Sequence, residues 1–148
     1  MLTLLLAVQL PPPRGFDRSA LYISTEAPLQ TVRLTQILRS NSQFSGLPES
    51  QRPSLSRVHS TQIHDVEAQE HILRYQVPVL IKQQNIGLLI VDSIAANYRA
   101  EFDKGKLRKA ADSFAQRSAQ LSRLGALDRK STRLNSSHSG ESRMPSSA

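Results

Sequence analysis

The chain has no cysteine among its 148 residues, so neither a disulfide framework nor a thiolate metal site is open to it. A reduced, intracellular compartment is compatible with that composition. Tryptophan is also absent, aromatic residues make up 5% and hydrophobic residues 39%, a thin supply for a packed core. At this length the chain holds one domain with a sizeable core and no more. No apolar run reaches the ~18 residues of a membrane-spanning helix, so no membrane partner is expected. The opening stretch MLTLLLAVQLPPPRG imitates a secretory leader. However, no Lys or Arg precedes its apolar run, Thr3 and Gln9 interrupt that run, and no small-x-small cleavage site follows. It reads better as the buried last turns of a helix stopped by Pro11, Pro12 and Pro13.

Charge of one sign is in excess. The net charge is +7 with a pI near 10.4. A balance of this kind suits a polyanionic partner such as nucleic acid, and it speaks to association, not to fold. After Leu127 the character changes to DRKSTRLNSSHSGESRMPSSA, Ser- and Arg-rich with almost no apolar periodicity. On composition that segment, 128–148, is expected to be disordered. It also resembles an adapter-derived tail that recurs on unrelated translated transcripts, and it is set aside from functional reasoning. Residues 1–127 hold 15 Lys and Arg against 10 Asp and Glu, so +5 remains without it.

Periodicity supplies the elements. Ala20–Thr25 (ALYIST) reads as a short strand ending at Glu26, and Pro28 can open a helix running to about Arg39 with Leu29, Val32, Ile37 and Leu38 along one face. Residues 40–56 are rich in Ser, Pro and Gln and read as a surface loop. RVHST is a candidate strand. Asp65 is a plausible N-cap for a helix through Val77, with Pro78 kinking or restarting it. Ile86–Val91 is a continuous apolar, largely β-branched run, as expected of a strand buried on both faces of a parallel sheet. A last helix is expected from about Leu107 to Leu127, its stripe made by Phe114, Leu121 and Leu124. Strands alternating with helices predict an α/β domain with a mostly parallel sheet.

The apolar run ends abruptly in Asp92-Ser93. A carboxylate at the carboxyl end of a buried parallel strand stands where open α/β sheets bind ligands, and this is the form of a Walker B element, whose aspartate organises a nucleotide's Mg²⁺. Such a strand requires a phosphate loop, G-x-x-x-x-G-K-S/T, earlier in the chain. None occurs. Taken alone, Asp92 is equally well a turn residue. Glu26 adds weight, because it too follows a buried-type strand. Two carboxylates along one sheet edge let one serve the metal while the other orients or deprotonates the attacking water. The plainer role for Glu26 is to favour the amino terminus of the helix near Pro28.

ALYISTEAPLQTVRL and GLLIVDSIAANYRAEF together resemble the RecA-like recombinase core of eukaryotes. In that family a YI-x-TE strand end supplies the catalytic glutamate and a VDS strand end is Walker B. Within it, EAQEHILRYQVPVLIKQQNIGLLIVDSIAANYRAEF and LTLLLAVQLPPPRG are similar to the recombinase paralogues of the fungal Rad-fifty-seven type and their XRCC-three relatives. The resemblance spans about residues 2 to 127. It implies a partial P-loop ATPase core, an internal slice without the phosphate-loop strand or the later core strands. It further implies ATP and Mg²⁺ as cofactors of the intact parent, Asp92 with Ser93 on the metal through water, and Glu26 as the catalytic carboxylate. The implied setting is nuclear homologous recombination, with a second paralogue as heterodimer partner, a recombinase filament and single-stranded DNA. On its own, the chain is expected to be inactive.

From Arg99 to Arg123, seven Lys or Arg stand against three Asp or Glu. By resemblance this region includes the first DNA-binding loop, so Arg99, Lys104, Lys106, Arg108 and Lys109 are candidates for phosphate contact, which gives affinity without sequence choice. The alternative is an ordinary solvated helix face. Tyr98 and Phe102 are candidates for base stacking, with packing against the sheet the more ordinary role. His59, His64 and His71 lack the i, i+4 spacing of a helical zinc pair. Alternatives left open are another P-loop ATPase, such as a helicase or a KaiC-like protein, and a noncatalytic protein-interaction module.

Overall fold

A computed structural model describes residues 1–103, 115 and 117–126. The expected artefact tail at 128–148 lies outside the described residues. A parallel sheet of three strands, ordered β2-β1-β3, is built from β1 (Ser19–Ser24), β2 (Val58–Gln62) and β3 (Ile86–Asp92). The strand between the other two comes first in sequence, so the chain returns to the sheet once on either side of it. This is the α/β arrangement the alternation of elements predicts.

Side chains on a strand alternate between the two faces, and β1 feeds two separate cores this way. Ala20 and Tyr22 pack with Leu5, Leu6, Leu34 and Phe44 beneath α1 (Leu2–Ala7), α2 (Thr31–Ser40) and α3 (Ser42–Ser45). Leu21 and Ile23 pack on the other face with Ile63, Leu73, Val77 and Ile86, beneath α4 (Val66–His71) and α5 (Val77–Gln83). All six β1 residues are buried. β3 alternates identically, Leu88 and Ile90 to the first core, Leu89 and Val91 to the second. However, Leu88 to Asp92 are only half-buried. Burial of β3 on both faces was the expectation. Leu88 to Val91 reach both cores but stay half-buried, and among the described residues β3 has one neighbour, β1.

The ends of the elements have local causes. The apolar opening is a helix as read, Leu5 and Leu6 fully buried, with Gln9 closing it by donating to the Leu5 carbonyl and accepting from the Ser54 amide. Its prolines then turn the chain back to β1. Asp65 caps α4, its side chain accepting from the Ala68 amide. A π-helical turn at Ile72–Gln76 joins α4 to α5. In a regular α-helix the ring of Pro78 would collide with the carbonyl of Arg74, and the widened turn lies over that position. The expected break at Pro78 is thus a change of helical pitch. Asn85, in the left-handed region at φ 48°, ends α5 and passes its carbonyl to the Ser19 amide.

Three expectations change. α2 starts at Thr31, not Pro28, and Leu34 (1% exposed) joins Ile37 and Leu38 on the first core in place of Val32, which is 72% exposed. Within the polar loop, α3 carries Phe44 to full burial. In the last helix, 117–126, Leu124 packs on the second core but Leu121 is exposed and Gln120 is buried instead. Phe114 lies outside the described residues.

Among the described glycines, Gly15 has the closest backbone neighbours. A Cβ there would stand 2.4 Å from the Ala7 carbonyl oxygen and 2.5 Å from that of Leu10, neither of which can step aside. Gly15→Ala is expected to destabilise the chain by about 2 kcal/mol, the scale of overpacking in a closed site. Gly125→Ala meets nothing within 4 Å and sits in a helix. It is expected to be neutral or stabilising by up to about 1 kcal/mol. Urea-denaturation midpoints of the two variants check both signs.

Candidate functional site

The register of the sheet makes the site. Ser24 pairs with Asp92 at the carboxyl ends of β1 and β3, so both strands stop at one edge. The ladder continues one step further, the Thr25 amide donating to the Asp92 carbonyl at 2.9 Å. Thr25 then holds Ser93 twice. Its hydroxyl donates to the Ser93 carbonyl at 2.8 Å and accepts from the Ser93 amide at 3.0 Å. The Asp92–Ser93 peptide is cis. Glu26 follows Thr25 directly. The two predicted carboxylates therefore flank one clamp.

Asp92 is oriented from below. Tyr22 pairs with Ile90 in the ladder, and its hydroxyl reaches two residues along the same face to donate to Asp92 Oδ2 at 3.0 Å. Tyr22 is buried, and its phenol is pushed above the ordinary 10.0, first by burial, then by the bond to Asp92 and that carboxylate's charge. It is a neutral donor near pH 7. One such bond leaves most of the lone pairs of a carboxylate available. Beside it, Ser93 Oγ is buried without a hydrogen-bond partner among the described residues.

Glu26 is exposed, and its Oε1 accepts from Arg99 Nη2 at 3.1 Å. Arg99 was read as a phosphate contact, and the structure brings it to the carboxylate edge, on α6 (Ala96–Asp103). Lys104, Lys106, Arg108 and Lys109 lie outside the described residues, as does the side chain of Phe102. Tyr98 is 1% exposed, which fits packing and not stacking on a base.

Sequence reading missed Thr25 and Tyr22, although both follow from aligning the ends of two adjacent parallel strands. It also missed a set of buried amides behind the edge. Gln69 on α4 donates to the Ile94 carbonyl and to Gln120 Oε1, each at 3.0 Å. Asn97 on α6 donates to Gln69 Oε1 at 3.0 Å and to the Asp65 carbonyl at 3.2 Å. These amides fix the segment that follows Asp92, and their polar side chains carry no sequence signal of burial.

What the edge can do chemically follows from these contacts. No cluster of three or more metal-ligating side chains exists among the described residues. An oriented carboxylate and an adjacent uncommitted hydroxyl suit a hydrated Mg²⁺ whose remaining ligands come from a phosphate-bearing substrate.

Thr25→Val keeps the shape and deletes both bonds to Ser93. Stability is expected to fall by about 1–3 kcal/mol, because buried backbone groups lose their partners, as read from urea denaturation. Tyr22→Phe should cost about 1.5–3 kcal/mol near neutral pH, the range for a hydrogen bond to a charged group. Because the native phenol titrates above its unfolded value, its contribution is complete below pH 10.0 and is lost as pH rises through the native value. Denaturation series from neutral to strongly alkaline pH should therefore show the difference between wild type and Tyr22→Phe closing at the alkaline end.

Comparison with known proteins gives the family. The Rad51 family profile matches residues 1–129. The chain is 37% identical over 131 residues to the DNA repair protein rhp57 of Schizosaccharomyces pombe, covering 82% of this chain and 36% of that protein. It is 33% identical over 113 residues to the DNA repair protein RAD57 of Saccharomyces cerevisiae, covering 74% and 24%. Against the DNA repair protein XRCC3 of Bos taurus it is 33% identical over 128 residues, covering 83% and 38%. The chain thus spans between 24% and 38% of the length of these relatives. With two strand-end carboxylates on one edge of a parallel sheet and a match across most of its length, the chain belongs to the Rad51 family.

Proposed function

We propose that the whole protein is an ATP-binding recombinase paralogue that works in the nucleus in homologous recombination. In this reading it pairs with a second paralogue and helps the recombinase filament assemble on single-stranded DNA. The observation that carries the reading is the pairing of Ser24 with Asp92, which sets Glu26 and Asp92 on the same sheet edge. The names of the relatives support the repair setting.

Each residue then has a task. Asp92, aimed by Tyr22, holds a water of the Mg²⁺ shell, with Ser93 Oγ beside it as a further donor or acceptor. Thr25 keeps the backbone of Ser93 fixed, so the carboxylate needs no rearrangement when nucleotide arrives. Glu26 orients the attacking water and accepts its proton. Bound Mg²⁺ neutralises charge on the phosphates. The basic residues Arg99, Lys104, Lys106, Arg108 and Lys109 are assigned to the DNA backbone, where they give salt-dependent and sequence-independent affinity.

Binding of a fluorescent ATP analogue to the full-length protein tests this. Asp92→Asn is expected to weaken Mg²⁺-dependent affinity by about tenfold, the loss of one charged ligand contact. Glu26→Gln should leave nucleotide affinity within about twofold while lowering turnover by about 10²-fold or more. The 148-residue chain by itself, which carries no phosphate-loop motif, is expected to show no measurable turnover. Nucleotide affinity insensitive to Asp92→Asn, together with unaltered binding to a paralogue partner, would replace this reading by a noncatalytic interaction module.

A further inference from the structure

Arg99 holds the Glu26 carboxylate and is also one of the residues assigned above to the DNA backbone. Its guanidinium sits 3.1 Å from Glu26 Oε1, across 73 residues of sequence, with the two side chains 63% and 64% exposed. Both ends of this pair rise from anchored backbone. Glu26 follows Thr25, which is locked to Ser93. Arg99 follows Asn97 and Tyr98, which are 6% and 1% exposed, and Asn97 is tied to Gln69 and to the Asp65 carbonyl. The pair is thus a contact between two fixed points and not a chance meeting of two long side chains on a mobile surface. It is also weak, because exposed ion pairs are screened and contribute little. A weak pair between fixed points is easily exchanged for another anion.

We infer that Arg99 is a positioning residue for Glu26, shared in competition with a nucleic-acid phosphate. This inference rests on the assignment of Glu26 and of single-stranded DNA made above. Without DNA, the guanidinium holds the Glu26 carboxylate in place beside it. When a phosphate takes the guanidinium, Glu26 is released toward the attacking water. Linkage makes the effect reciprocal for binding. Whatever Glu26 holds back from the phosphate, the phosphate holds back from Glu26. For an exposed pair this amounts to a factor of about two to five.

The test measures DNA affinity and needs no ATP turnover. A dye-labelled oligothymidylate is titrated by fluorescence anisotropy with the full-length protein as wild type, Glu26→Gln, Arg99→Ala, Arg99→Lys and the Glu26→Gln/Arg99→Ala double variant. Circular dichroism of each checks the fold. Glu26→Gln is expected to tighten binding about two- to fivefold at low salt. Arg99→Ala should weaken it and flatten the log–log salt slope by about 0.7, the loss of one phosphate contact on a single strand. The double variant should bind like Arg99→Ala, with the gain from Glu26→Gln gone. Arg99→Lys keeps the charge and should restore part of the affinity. A gain from Glu26→Gln that survives in the Arg99→Ala background overturns the inference, since removal of a negative charge then acts at long range. So does an unchanged affinity in Glu26→Gln. Either result leaves the proposed function standing if Asp92→Asn still weakens Mg²⁺-dependent nucleotide binding. Failure of the wild type to bind the oligonucleotide overturns both the inference and the DNA-binding part of that reading.

Discussion

The in-register pairing of β1 with β3 is the constraint on which the rest depends. Parallel strands paired Ala20 to Leu88 and onward to Ser24 and Asp92 place two chain ends side by side, although 68 residues separate them. A slip of one residue would send Tyr22 and Asp92 to opposite faces and separate the hydroxyl from the carboxylate it orients. Three features hold the register. The alternating burial of Ala20, Leu21, Tyr22 and Ile23 ties each face to its own core. The irregularity between Ser19 and Ala20 absorbs one residue of β3 at Gly87, where a Cβ would meet the Arg18 side chain at 2.6 Å. At the other end Thr25 clasps Ser93.

Much of this was legible beforehand, for reasons that can be named. A run such as GLLIVD has no good alternative to a strand, and a carboxylate closing it is conspicuous. Asp65 was readable as a cap because capping is a local event that needs only an oxygen and an amide three residues on. Of the four residues read along one face of the helix near Pro28, Leu29, Ile37 and Leu38 do pack against the first core, and only Val32 is out of place. Val32 and Leu34 stand about 200° apart on a helix, so a stripe of Leu34, Ile37 and Leu38 turns Val32 to solvent. Phe44, Gln69 and Gln120 were invisible for a different reason. One is a lone aromatic in a polar loop and two are amides, and burial of such residues is decided by distant partners, not by local pattern.

The edge character of β3 was likewise out of reach of periodicity. A continuous apolar run reports that both faces of a strand are apolar, and it cannot report whether both edges are paired. Among the described residues β3 has β1 on one side only, and Leu88 to Val91 remain half-buried. A strand this apolar at an edge is unusual, since edges are normally blunted by charge, proline or a covering element. Its composition is that of an interior strand.

The contacts around the two carboxylates differ in strength, and the difference matches the tasks assigned to them. Asp92 receives a hydrogen bond from a buried phenol and sits beside a backbone clamp. Buried, charge-assisted bonds of this sort are worth about 1.5–3 kcal/mol each. Glu26 has one exposed ion pair, worth at most about 1 kcal/mol. A group that orders a metal's water gains from being fixed in advance, because any reorganisation would be charged to the transition state. A group that must meet a water and accept its proton gains from being loosely held, because a tight cation would keep it ionised and turned away. In the proposed reading, a rigid Asp92 and a releasable Glu26 divide the labour at one edge. The four residues that enforce it, Tyr22, Thr25, Asp92 and Arg99, come from segments that only the register of β1 and β3 brings together.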